Sequence, residues 1–171
     1  MIESLRLQLL APVDWQVLRA ARLRALLDSP HAFMSSYARE SGWGESEWRR
    51  LFDAARWMVA CESETVIGLA QSLSEPGRLA TRHVESVWVA PTHRRRGVCR
   101  ALLHTLAEMD RETGVTDLLL WVLDDNHDAQ LAYKALGFEP TGECQFLPTL
   151  GRTELRLRLG ITADWTNRKL G

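Results

Sequence analysis

The sequence predicts a single domain of α+β or α/β class, and three observations point there. Several short stretches alternate apolar and polar residues with the period of a strand, as in Leu5–Leu10 (LRLQLL). Others carry an apolar stripe with the period of a helix, as in Leu102, Leu103, Leu106, Ala107 and Met109. One run, Asp117–Leu123 (DLLLWVL), is apolar almost throughout, as expected of a strand covered on both faces.

In chain order, Leu5–Leu10 reads as a half-buried strand. Pro12 suits a first helical turn and opens a helix over Val13–Leu27, which Asp28-Ser29-Pro30 ends. His31–Gly44 mixes turn formers and aromatics with weak periodicity, so an irregular segment is expected before a short helix over Glu45–Phe52. Strands over Trp57–Cys61 and Val66–Ser74, joined by a turn at Glu62–Glu64, form a hairpin that Glu75-Pro76-Gly77-Arg78 closes. A strand over Arg82–Val89 leads through a basic loop into a helix over Gly97–Glu112, which Gly114 stops. Beyond the apolar strand, Asn126 caps a helix to Leu136 and Gly137 ends it. Strands over Phe138–Cys144 and Thr153–Leu159 complete the pattern. Residues 1–161 are expected to make one domain and residues 162–171 a short polar tail.

Composition narrows the function classes. A net charge of -1 argues against broad attraction to nucleic acid. No apolar run approaches the roughly 20 residues of a membrane helix. The stretch around Glu3 lacks the basic start and small-residue cleavage site of an export signal, so a cytoplasmic protein is expected. Cys61, Cys99 and Cys144 are odd in number and far apart, which speaks against a disulfide framework or a structural zinc site. The histidines show no H-x-x-x-H spacing, so no metal is expected.

The most informative stretch is the basic loop, Pro91-Thr92-His93-Arg94-Arg95-Arg96-Gly97-Val98-Cys99-Arg100. A strand handing over to a helix here leaves unpaired backbone N–H groups at the positive end of the helix dipole. Gly97 has no Cβ to block a ligand, and Arg94, Arg95, Arg96 and Arg100 supply guanidinium groups whose geometry matches phosphate. A diphosphate suits such a site. Taken alone, the same residues fit a solvated helix start equally well. The P-loop pattern and the G-x-G-x-x-G dinucleotide pattern are both absent from the sequence.

A second pattern changes the balance. Arg94, Gly97 and Cys99 match R-x-x-G-x-(small), and Asn126, Ala129, Tyr133, Gly137 and Phe138 match N-x-x-A-x-x-x-Y-x-x-x-G-F. Together, at about this spacing and in strand-helix-strand-helix order, they resemble the GNAT superfamily of N-acetyltransferases over roughly residues 82–145. The segments around Leu23–Phe33 and Gly137–Pro148 are similar to a bacterial subgroup of it.

The resemblance implies a central, mostly antiparallel twisted sheet of about six to seven strands flanked by about four helices. It implies acetyl-CoA as co-substrate, with the pantetheine arm pairing to Val87 and Val89 and the pyrophosphate held by Arg94, Arg95, Arg96, Gly97, Val98, Cys99 and Arg100. Asn126 and Ala129 would belong to the same site. Cys99 departs from the family's usual glycine or alanine; simple packing is its expected role, with a thiol whose pKa the helix N-terminus lowers as the alternative. Tyr133 matches the family tyrosine near the CoA sulfur and is the expected acid, with the amide of Val87 as oxyanion donor. Glu85 is the expected base, and His83, two residues away on the same strand face, competes with it.

Each assignment has a plainer counterpart: core packing for Tyr133, a helix N-cap for Asn126 and a solvent-facing strand position for Glu85. By the same analogy His31–Trp48 flanks the acceptor, where Phe33, Tyr37, Trp43 and Trp48 line a pocket or pack beneath it. Glu40, Glu45 and Glu47 are too few to indicate a polycationic acceptor. Small molecules and proteins both remain open as amine acceptors, with no nucleic acid or membrane partner expected. A catalytically silent acyl-CoA-binding or regulatory module, and a scaffold that binds no CoA, are the rival readings. The alternating Thr153–Gly160 segment is expected to serve as a sheet edge for a homodimer.

Overall fold

The computed structural model describes residues 5–166. Its strands are β1 (Leu5–Leu10), β2 (Ala55–Glu62), β3 (Thr65–Glu75), β4 (Arg78–Val89), β5 (Asp117–Leu123), β6 (Glu139–Leu147) and β7 (Arg152–Gly160). The helices are α1 (Trp15–Asp28), α2 (Tyr37–Ser41), α3 (Glu45–Arg50), α4 (Val98–Glu112), α5 (His127–Leu136) and α6 (Ala163–Thr166). The segment read as irregular contains a single 3-10 turn and the short helix α2, because Ser36 accepts a hydrogen bond from the Arg39 amide and so caps a first turn.

The described residues form two compact units, one of those up to Leu73 with Ser86–Leu106, the other of Ser74–Glu85 with those from Ala107 onward. In the first unit β2 pairs antiparallel with both β1 and β3, and the end of β4 follows β3 in the sheet order. Gly68 lets the start of α4 settle onto β3. A Cβ there would stand 2.9 Å from Val98 and 3.0 Å from Leu102. The buried stripe of α1 is Leu18, Ala21, Arg22, Ala25 and Leu26, a helical period with a cation inside it.

In the second unit the start of β4 pairs with β5 in parallel, and β5 and β6 both pair antiparallel with β7. The strand order β1-β2-β3-β4-β5-β7-β6 therefore describes a mixed, seven-stranded sheet, as an α+β fold requires. One expectation needs correction here. The Thr153–Gly160 strand is not a sheet edge, since the hydrogen bonds on its two sides go to β5 and β6. The edge on that side is β6, almost wholly exposed. Within the segment read as a polar tail, Trp165 is buried and its indole N–H donates to the Leu136 carbonyl at 3.0 Å. That carbonyl lies at the end of α5, where a helix has no partner of its own to offer, so the indole satisfies it while burying its ring. The rest of that segment, residues 167–171, lies outside the described residues.

Candidate active site

The basic loop folds as the sequence suggests, for a reason the sequence does not display. After a 3-10 turn at Pro91–His93, Arg95 (φ 58°) and Gly97 (φ 83°) both adopt left-handed backbone. At Gly97 this excludes most residues at low cost. A Cβ built there meets nothing within 4 Å, so the space beside the glycine is open. The Gly97 carbonyl accepts the Ala101 amide at 3.0 Å, which starts α4. The amides of Val98, Cys99 and Arg100 therefore fall in the first turn of a 15-residue helix, where no carbonyl of the helix reaches them. The result is an exposed turn of backbone donors at a helix N-terminus with open space beside Gly97, an arrangement that favours an anion.

The four arginines are not equivalent. Arg94 donates to Asp28 Oδ2 at 2.7 Å and to the Val89 carbonyl at 3.0 Å. Arg96 lies 3.7 Å from Glu62, which also meets His93 Nε2 at 2.8 Å. Arg95 and Arg100 form no ion pair among the described residues. These two are the cations left to an incoming anion. Desolvation pushes the Cys99 thiol up to about 11, which favours packing over a thiol activated by the helix N-terminus.

Val87 and Val89 are both half-buried on β4. Just before them, Ser86 has a left-handed φ of 55°, rare for a residue with a Cβ and rarer in a strand. Ser86 Oγ accepts from Arg22 Nη1 at 2.9 Å and from Gln71 Nε2 at 2.8 Å. Arg22 in turn donates through Nε and Nη2 to Glu40 at 3.0 and 2.9 Å and stacks on Phe33 at 4.9 Å. Nothing in the sequence reading singled out this network. The available signal was phase, because Arg22 falls on the apolar stripe of α1 whereas Arg19 and Arg24 do not.

The acceptor-side residues resolve mostly into packing. Trp48 is fully buried with Trp43 edge-on at 5.2 Å, and Phe33 lies under Arg22. Tyr37 is exposed. Glu40 pairs with Arg22, Glu45 with Arg49, and Glu47 caps the Gly44 amide. None of the three carboxylates is left over as an acidic lining.

In the second unit, the second motif turns out to be a pair of helix caps around one tyrosine. Asn126 Oδ1 accepts the Ala129 amide at 3.2 Å, the N-cap arrangement of α5. At the other end Gly137 is left-handed (φ 97°), its amide bonds to the Lys134 carbonyl, and the Phe138 amide bonds to the Tyr133 carbonyl. That is the Schellman geometry, and its usual apolar contact is the Tyr133–Phe138 ring pair at 5.7 Å. The spacing from Asn126 to Phe138 is thus the length of a capped helix that holds Tyr133, buried, in its last turn.

Also in this unit, His83 is buried with Glu75 Oε2 3.6 Å from Nδ1 and Glu85 Oε1 3.6 Å from Nε2. Burial lowers its pKa, an effect that Glu85, Glu75 and Glu154 oppose and Arg156 reinforces. Glu85 is half exposed and shares the His83 side of β4, as the alternation predicts. Among the described residues, no group of three or more His, Cys, Asp or Glu is placed to hold a metal ion. Nor is any helix among the described residues long and apolar enough to cross a membrane.

Residues 21–138, well over half the chain, match the sequence profile of the Acetyltransferase (GNAT) family. The chain belongs to the GNAT acetyltransferases. Among solved structures, this GNAT chain is similar to a GNAT-family acetyltransferase from Streptococcus pneumoniae, with a TM-score of 0.76 at 15% identity over 92% of this chain and 99% of that one. A ribosomal-protein-alanine N-acetyltransferase from Escherichia coli matches with a TM-score of 0.69 at 18% identity, over 93% and 95% of the two chains. A spermidine N-acetyltransferase chimera that includes Vibrio cholerae sequence matches at 0.71 and 18%, over 96% and 99%. At such identities the likeness is one of fold, and the last two differ in the acceptors they are named for. No curated protein sequence matches the chain.

Proposed function

We propose that this GNAT protein transfers the acetyl group of acetyl-CoA to a primary amine of a small molecule or a protein, by direct transfer in a ternary complex. The observation that carries the reading is the open, left-handed Gly97 at the head of α4, with Arg95 and Arg100 free of ion pairs among the described residues. The positive charge, the free helix-start amides and the open space beside Gly97 all suit a diphosphate. Bound there, acetyl-CoA supplies an activated thioester.

The chain's own residues then have separable tasks. The amides of Gly97, Val98, Cys99 and Arg100 and the side chains of Arg95 and Arg100 hold the pyrophosphate, with Arg94 and Arg96 shaping the loop. Val87 and Val89 pair with the pantetheine arm through their backbone, and the Val87 amide polarises the thioester carbonyl. Glu85 takes a proton from the incoming ammonium, directly or through water, so that a neutral nitrogen forms the new C–N bond. As the C–S bond breaks, the Tyr133 hydroxyl gives its proton to the departing thiolate, and the proton that the newly acylated nitrogen sheds returns through water to the phenolate. The roles of Asn126, Ala129 and Tyr133 rest on the motif they share with the family, and their capping geometry explains why the motif has its spacing.

Calorimetric titration with acetyl-CoA, CoA and ATP tests the reading, followed by an amine panel followed through CoA release. Saturable binding of acetyl-CoA with ATP much weaker is the expected result. Absence of acetyl-CoA binding would sink it.

A further inference from the structure

The network around Ser86 has a cost and a placement that stability alone does not account for. Arg22 and Glu40 are buried, with side chains 10% and 3% exposed, so both charges have been taken out of water. An apolar pair of similar size holds two helices together at least as well as such an ion pair. What an apolar pair cannot do is donate a hydrogen bond. The third arm of Arg22 does so, reaching Ser86 Oγ at 2.9 Å while Gln71 Nε2 reaches the same oxygen at 2.8 Å.

Two donors converging on one hydroxyl fix the rotamer of Ser86 and anchor its backbone in a conformation (φ 55°) that residues with a Cβ disfavour. The next residue is Val87. The direction of the Val87 amide depends on the torsions of Ser86, and a serine without these partners would relax toward ordinary extended backbone.

We propose that Arg22, held by Glu40, is a positioning residue that acts through Ser86 to aim the Val87 amide at the thioester carbonyl. The inference rests on the acetyltransferase reading above, since only there does the direction of that amide matter. Arg22 touches neither substrate nor reacting atoms in this scheme.

The test compares the wild type with Ser86→Gly, which accepts the left-handed φ but has no hydroxyl, and Arg22→Lys, which keeps a charge for Glu40 but cannot span both partners. Amide spectra are recorded with saturating acetyl-CoA and with saturating CoA, reading Val87 for the acetyl group and Gly97 for the diphosphate. In the wild type Val87 should differ between the two ligands. In both variants that difference should fall by at least half, while Gly97 still shifts and the CoA Kd stays within about threefold. Ser86→Asn, whose side chain tolerates left-handed backbone and offers a carbonyl to Arg22, should restore most of it. An unchanged Val87 difference in the variants would overturn the inference and leave the acetyltransferase reading intact. Failure of both variants to fold would overturn it too, because the network would then serve stability. No response of Gly97 or Val87 to acetyl-CoA in the wild type would remove the acetyltransferase reading and this inference with it.

Discussion

The Arg94 guanidinium lies 2.7 Å from Asp28, the last residue of α1, whose carboxylate also receives the Trp88 indole N–H at 2.9 Å. Burial pushes the Asp28 carboxyl up, but the hydrogen bonds from Trp88 and Ser29 and the charge of Arg94 outweigh it and hold the group below its ordinary value. The first arginine of the basic loop is therefore already committed to a partner within the protein. Arg95, its neighbour, has no such partner among the described residues.

A contrast between these neighbours follows. Arg94→Ala should cost about 1 kcal/mol of stability or less, the range of partly exposed ion pairs, and weaken acetyl-CoA binding only mildly. Arg95→Asn, which keeps a residue tolerant of left-handed backbone, should leave stability near wild type, weaken acetyl-CoA binding more and flatten its salt dependence. Calorimetry at two salt concentrations distinguishes them. Equal losses of affinity in both variants would contradict the division of labour in the loop.

Gly97→Ala tests the open space beside the glycine. The added Cβ meets no protein atom within 4 Å, so the expected stability cost, about 1–2 kcal/mol, comes from the positive φ alone. The same methyl group stands in the open space beside the first amides of α4, and the acetyl-CoA Kd should rise at least about tenfold, or about 1.4 kcal/mol. A Kd within twofold of wild type would mean that the diphosphate does not lie against Gly97.

Tyr133→Phe keeps the ring that packs on Phe138 and removes only the hydroxyl. Folding stability should change by about 1 kcal/mol or less, the worth of one hydrogen bond, and acetyl-CoA affinity should hold. Turnover should fall by about a hundredfold, the scale of a lost general acid. Wild-type turnover in this variant would return Tyr133 to a packing role and leave the helix caps as the whole meaning of its motif.

His83 predicts a pH dependence of stability. Its folded-state pKa lies below the unfolded value near 6.5, because burial disfavours the imidazolium more than Glu85, Glu75 and Glu154 stabilise it, with Arg156 adding to the depression. Unfolding then takes up a proton once the pH drops below that unfolded value. This contribution to stability is complete above about pH 6.5 and is lost as the pH falls toward the folded pKa. Urea midpoints at neutral and mildly acidic pH should drop for the wild type and drop less for His83→Gln. An identical drop in both would assign the acid sensitivity elsewhere.

Much of this fold is local and for that reason legible in the residues. Pro12, Gly114 and Gly137 start or stop helices through their own backbone geometry and Asn126 through its side-chain cap, and the apolar runs of β2 and β5 reflect burial on both faces. The second family motif was readable for the same reason, since each of its residues caps or packs within one helix. The basic loop could be recognised because glycine and arginine carry their chemistry with them. What the sequence by itself determined is therefore the set of elements, the candidate anion site and the membership in a family of acetyltransferases.

Only the tertiary structure decided which charges are spent. Arg94 and Arg95 are the same residue side by side, yet one faces Asp28, 66 positions away along the chain, and the other faces no acid among the described residues. Arg22 stands out by its place on the apolar stripe of α1, but its partner Glu40 is set only when α1 and α2 come together, and Ser86 is an ordinary strand residue until two donors reach its hydroxyl. The outer place of β6 and the docking of Trp165 onto the end of α5 likewise depend on strands and helices distant in sequence. A residue's own preferences are written in its side chain, but its partner is set by long-range packing, which no local period records.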